Sequence, residues 1–150
     1  MGIYLNVASP NVPHIPGGMI PETSTAFAAN SLVDLNTTSG YIQPSTSSTT
    51  SHTLFGVFVD KAVTTASSNP ANVDVIPIFG GPEQLFIVDC TNVTAINQIY
   101  KRQALTNSTT IANTSSDTTG NTGVFVPIAL VGGVGGTQML GYFSNFAASN

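Results

Sequence analysis

Charge is what this sequence has least of. Of its 150 residues only three are Lys or Arg and seven are Asp or Glu, so 7% are charged, where about a quarter is usual for a globular domain. The three cations are Lys61, Lys101 and Arg102, and the net charge is −4. That excludes a nucleic-acid backbone as partner, because neutralising phosphates takes several Lys or Arg on one face. An anionic membrane surface is excluded on the same ground, and no apolar run approaches the roughly 20 residues of a membrane span. Met1-Gly2-Ile3-Tyr4-Leu5-Asn6 has neither the positive start nor the apolar core of a secretion signal. Asn at position 6 also speaks against myristoylation of Gly2. Tryptophan is absent and Cys90 is the single cysteine, so no disulfide forms within the chain. Inside Leu85-Phe86-Ile87-Val88-Asp89-Cys90 its expected role is that of a small buried hydrophobe, not a reactive thiol.

Residues that carry chemistry are equally thin. The inventory is His14, His52, Cys90 and the carboxylates Glu22, Asp34, Asp60, Asp74, Glu83, Asp89 and Asp117. The carboxylates are scattered, with no pair at a metal-ligand spacing. Both histidines sit in Pro- or Ser-rich segments, which do not hold a catalytic ring to tolerance. Serine is plentiful, but no Gly-x-Ser-x-Gly elbow is present. The glycine run at 132–136 lacks the Lys-Ser/Thr of a phosphate loop, and Gln138 breaks the G-x-G-x-x-G spacing. It reads as a hairpin. No enzymatic activity, metal or cofactor is expected. Lys101-Arg102 is expected in a solvated turn or in a salt bridge to a neighbouring subunit.

In place of charge the chain carries 15 Ser, 20 Thr and 13 Asn, with 14 Gly and nine Pro. A mean hydropathy of +0.24 shows that apolar matter is not short, which separates this composition from that of a disordered chain. Val, Ile, Thr, Tyr and Phe suit a pleated, half-buried surface, and the residues that coat helices are nearly missing. An all-β fold follows, a small β-barrel or sandwich. Strands are expected at Ser31-Leu32-Val33-Asp34-Leu35, at Tyr41-Ile42-Gln43, at 54–59 (central, with Gly56 marking a bulge or close backbone approach), at 73–79, at 84–90, at 124–131 with Pro127 interrupting it, and at 137–146. Pro77 confines its part of the 73–79 run to an edge or a bulge. Residues 94–105 read as a turn plus an irregular strand. Residues 107–123 read as a long polar connection containing Ile111.

Residues 1–25 hold Pro10, Pro13, Pro16 and Pro21 around Gly17-Gly18. Prolines this close prevent helix and withhold donors from a sheet, so the stretch is expected to be an extended arm preceding a β-barrel domain at 26–150. Ile3, Tyr4, Leu5, Val7, Ile15, Met19 and Ile20 make it more apolar than a free tail. Together with Pro10, Pro13 and Pro16 they are the expected contact residues for a capsid or a sister subunit.

Between residues 26 and 142, the succession Asn30-Ser31-Leu32-Val33-Asp34-Leu35, Ser39-Gly40-Tyr41-Ile42, Leu54-Phe55-Gly56-Val57-Phe58-Val59, Gln84-Leu85-Phe86-Ile87-Val88, Thr109-Thr110-Ile111 and the pair around 124–131 resembles the small capsid decoration (cement) proteins of tailed bacteriophages. The resemblance covers about three-quarters of the chain and is one of strand order. It implies a compact barrel on the outer face of a virion capsid, bound to the major capsid protein, as a homo-oligomer with arms reaching its neighbours. The first 25 residues have no counterpart in it. The alternative is a receptor- or glycan-binding β domain of a phage tail or fibre, which the Ser, Thr and Asn content also fits.

Overall fold

The β-branched and aromatic runs become strands close to where composition puts them. The computed structural model describes residues 2–5 and 15–144. Its strands are β1 (Ile3–Leu5), β2 (Ile15–Met19), β3 (Ala26–Phe27), β4 (Ser31–Leu35), β5 (Ile42–Pro44), β6 (Leu54–Phe58), β7 (Val63–Thr64), β8 (Val73–Pro77), β9 (Phe86–Cys90), β10 (Ala104–Leu105), β11 (Thr110–Ala112), β12 (Phe125–Val131) and β13 (Gln138–Phe143). The described residues contain no α-helix, only a 3-10 turn at Ile96–Gln98. The chain is all-β.

Two curled sheets make the body. One runs β10-β11-β9-β13-β12, with β1 also on β9; the other runs β2-β8-β6-β4-β5. A bridge between Gln103 and Phe125 ties β12 to the segment entering β10, so the first sheet bends back on itself. The second is stitched likewise. Its first edge is β2, and the residues just after β2 pair with its last edge, where Ile42 N–H donates to Ile20 O at 3.0 Å and Glu22 N–H to Ile42 O at 2.9 Å. These bonds cover part of the edges of both sheets. β3 and β7 form a separate two-stranded ribbon.

A bulge sorts β6 between two cores. β4 pairs Val33 with Gly56 but Asp34 with Leu54, leaving Phe55 as the extra residue. A bulge shifts the side-chain phase by one. Leu54 and Val57 therefore join the larger core with Phe86, Val88, Phe125, Met139 and Phe143. Phe55 and Phe58 turn to the smaller one with Phe27, Val33 and Val75. This is why the 54–58 run is apolar on both faces. Gly56 also permits the close approach expected of it: a Cβ there would lie 2.5 Å from Ile76 O.

The prolines fall where a missing donor does no harm. β12 has a bulge between Pro127 and Ala129, and Pro77 is the last residue of β8. The 94–105 segment is a turn followed by a short strand. One expectation is corrected. Residues 107–123 are not only a connection, because Thr110–Ala112 forms β11, parallel to β9, with Ile111 fully buried. Three residues are too few to show alternation, and β11 exists because the edge of β9 is there to receive it.

Gly141 is the tightest point of the β12–β13 hairpin. A Cβ there would lie 2.2 Å from Val126 O and 2.6 Å from Phe125 Cζ. Gly141→Ala is expected to destabilise the fold by about 1–3 kcal/mol through overpacking. Urea unfolding of the purified variant checks it; an unchanged midpoint would mean that the hairpin relaxes freely.

Candidate interaction platform

The chain leaves β9 at Cys90 beside the tip of the β12–β13 hairpin. At that tip Gly132, Gly133 and Gly135 take positive φ values of 81°, 85° and 82°, which glycine adopts without steric cost. The loop that follows β9 lies along the tip. Thr94 N–H donates to Gly136 O at 3.0 Å, and Gly135 N–H donates to Thr94 O at 2.8 Å. The Thr94 hydroxyl donates to Gly133 O at 2.8 Å.

The same loop is held from beneath by side-chain amides. The Asn113 amide donates to Asn92 O, Val93 O and Gln98 Oε1 at 3.0, 3.2 and 3.0 Å. Its oxygen accepts from Asn92 N–H at 2.9 Å. Gln98 in turn accepts from Ala95 N–H at 3.0 Å and donates to Val93 O at 3.3 Å. Asn92 and Asn113, each of which begins an Asn-x-Ser/Thr sequence, are thus structural amides bonded to each other.

This loop inverts the usual sorting of side chains. Thr94, Gln98 and Asn113 are buried, at 1%, 6% and 1% exposure, while Val93, Ile96 and Tyr100 are 65%, 69% and 72% exposed. Val134, on the hairpin tip, is 66% exposed. Single exposed apolar residues are ordinary; here four stand on two mutually bonded loops. Tyr100 adds backbone strain. Its φ is +61°, a conformation that costs a bulky residue about 1–3 kcal/mol. It is held by donation of Tyr100 N–H to Pro127 O at 2.8 Å. The surface offers apolar contact and hydroxyls on a hydrogen-bonded backbone, with exposed Lys101 directly after Tyr100.

The contact residues expected in the first 25 positions are scattered. Val7, Pro10 and Pro13 lie outside the described residues. Ile3 is fully buried in the larger core of its own chain. Leu5 pairs with Phe86 in β1, and Ile15 and Pro16 belong to β2, where Ile15 pairs with Val75. Met19 packs against the smaller core. Tyr4 and Ile20 are exposed, at 38% and 44%. Tyr4 stands opposite Ile87, itself opposite Leu140, in a half-buried row on the outer sheet face. Deleting residues 1–25 therefore removes β1, β2 and a core side chain, along with any contact surface.

Several of the described ionisable groups have structural partners. Asp34 is buried and accepts from the Ser45 and Thr49 hydroxyls at 2.5 and 2.6 Å. Burial raises its carboxyl above the ordinary range, and the hydroxyls of Ser45, Thr49 and Thr53 pull it part of the way back. Arg102, expected in a solvated turn or in a salt bridge to a neighbouring subunit, makes an exposed salt bridge within the chain, to Asp117 at 3.2 Å. The Arg102 backbone N–H, then its guanidinium, lowers the Asp117 carboxyl. Burial, with the Asp89 charge beside it, pushes the Cys90 thiol up to about 12, which keeps it protonated at neutral pH. Among the described residues no three His, Cys, Asp or Glu side chains gather as a metal site.

Sequence reasoning missed the platform. Residues 94–105 read only as a turn plus an irregular strand, with no outward face assigned to Ile96 or Tyr100. The available signal was the pairing of amide and hydroxyl residues, Asn92, Thr94, Gln98 and Asn113, with apolar ones between them. The chain matches no family model, no curated protein and no solved structure.

Proposed function

We propose that this protein is a structural component of a tailed-phage virion that decorates or cements the outer surface of the capsid. In this reading it binds the major capsid protein in many copies and performs no catalysis. The carrying observation is the inverted loop: Val93, Ile96, Tyr100 and Val134 point outward from a backbone bonded at Thr94 and Asn113. A rigid loop loses little entropy on docking, and uncharged contacts are desolvated cheaply and screened little by salt. Repeated on a symmetric shell, weak contacts of this kind gain by avidity. The resemblance of the sequence segments between 26 and 142 to those of capsid decoration proteins is consistent with the same reading. The platform takes over the docking role from the first 25 residues, much of whose described apolar matter belongs to the sheets.

The test pairs Ile96→Ser with Tyr100→Ser. Both side chains are exposed, so the thermal midpoint should stay within a few degrees of the parent. Occupancy on purified capsids should fall at least tenfold, the effect of removing an interface hot spot. Full occupancy by the double variant would overturn the proposal. Exposed, rigid Tyr100 also suits a sugar platform, which keeps a glycan-binding tail or fibre domain as the second reading. Glycan binding that is lost with Tyr100→Ser, in a protein without affinity for capsids, would establish that reading instead.

A further inference from the structure

We infer that Asn113 and Thr94 are positioning residues, which set the geometry of the platform without touching the partner. The inference rests on the platform reading above for its functional meaning, but its structural content stands by itself. Asn113 directly follows β11, in the body of the barrel, and is 1% exposed. Its side chain bonds to the loop at two carbonyls, one backbone N–H and the Gln98 side chain. Its own carbonyl accepts from the Asn92 amide at 3.1 Å. Asn113 thus supports the displayed residues from below. Thr94, 1% exposed, joins the same loop sideways to the hairpin tip that carries Val134. The exposed side chains stand on two loops, and these two residues make the loops one body.

A buried amide serves here where an apolar side chain would not. The loop backbone turns its carbonyls inward at Asn92 and Val93, and buried carbonyls need donors. A Leu or Val at 113 would leave Asn92 O without this donor and Val93 O with the Gln98 amide alone, and the loop would turn over to reach water. The apolar side chains would then bury themselves and the platform would vanish. Outward display of Val93 and Ile96 is therefore a consequence of inward donation by Asn113.

Asn113→Asp separates positioning from bulk stability. It keeps the shape but replaces three donated bonds with a carboxylate facing oxygen acceptors. Thr94→Val removes the hydroxyl alone, and Thr94→Ser restores it. The readout is hydrogen exchange on the full chain, comparing amides of residues 92–99 with those of β9 and β13. Protection of 92–99 should fall about tenfold or more in Asn113→Asp and Thr94→Val, the factor expected for about one lost hydrogen bond. β9 and β13 should be unchanged, and Thr94→Ser should match the parent. Unchanged loop protection in both variants would overturn the inference. So would an equal loss in loop and core, which would make these residues general stabilisers. Capsid binding is read separately: a loosened loop with intact capsid affinity leaves the positioning role standing and refutes the platform as docking site.

Discussion

Phe143→Ala is expected to destabilise the protein by about 3–5 kcal/mol. Phe143 is 1% exposed and lies between two other rings, with centroids 5.2 Å from Phe86 and 5.1 Å from Phe125. Its tilted and edge-on contacts are each worth about 0.5–1.5 kcal/mol beyond burial alone. The three rings come from β13, β9 and β12, so the side chain fills space between neighbouring strands of one curled sheet. Removing it leaves a cavity that the hydrogen-bonded ladders on either side prevent from collapsing. A domain of this size is stable by roughly 5–15 kcal/mol, so the loss would take about a fifth of that or more. Equilibrium urea unfolding, with the slope compared between variants, measures it. A cost below about 1 kcal/mol would mean that the core repacks around the gap.

The second large effect centres on Asp34. Asp34→Ala strips the acceptor from the Ser45 and Thr49 hydroxyls, both of which are buried. Each unpaired hydroxyl costs about 1–3 kcal/mol, so the variant should lose roughly 2–6 kcal/mol. Asp34→Asn behaves differently. It retains an acceptor oxygen and removes the charge, and hydroxyls can rotate to accept from its amide.

The comparison of wild type with Asp34→Asn should depend on pH in a defined direction. Because burial raises the folded carboxyl above 3.8, the folded state holds this proton more tightly than the unfolded chain. The contribution of Asp34 to stability is therefore fully present below the unfolded value and is lost as pH rises through the raised folded one. The charged form, favoured as pH rises, is desolvated in the wild type and absent from the Asn variant. Stability of Asp34→Asn relative to wild type should be greatest at neutral pH and should shrink as pH falls toward 4. Asp117, whose shift has the opposite sign, is present in both proteins and cancels from the difference. Thermal unfolding of the two proteins at several pH values gives the result, and parallel curves would refute it.

Much of the fold was legible because strand signals are local. Ser31–Leu35 appears as read, and β6, β8, β9 and β12 lie within or overlap the expected runs. Composition settled the class, since a chain so poor in Glu, Lys and Arg has little with which to coat helices. Gly56 and Pro127 were recognised as points of irregularity because a missing side chain or a missing N–H limits where a residue can sit. β11 could not be read, because Ile111 among Thr and Asn has no pattern of its own. The candidate site was hidden for a related reason. Hydropathy assigns Ile96 to the inside and Gln98 to the outside, and the loop does the reverse.

By itself, then, the sequence determined a β fold with a charge-poor surface, since both follow from which residue types are present. The tertiary structure alone decided where individual residues went. It put Ile3 into the core, because β9 offers an edge to β1. It joined Arg102 to Asp117 within the chain. It turned Val93, Ile96 and Tyr100 outward, because buried carbonyls require donors and Asn113 and Gln98 supply them from beneath. Backbone hydrogen bonding is an obligation that falls on every residue, and where it is met by side chains distant in sequence, no local pattern records it.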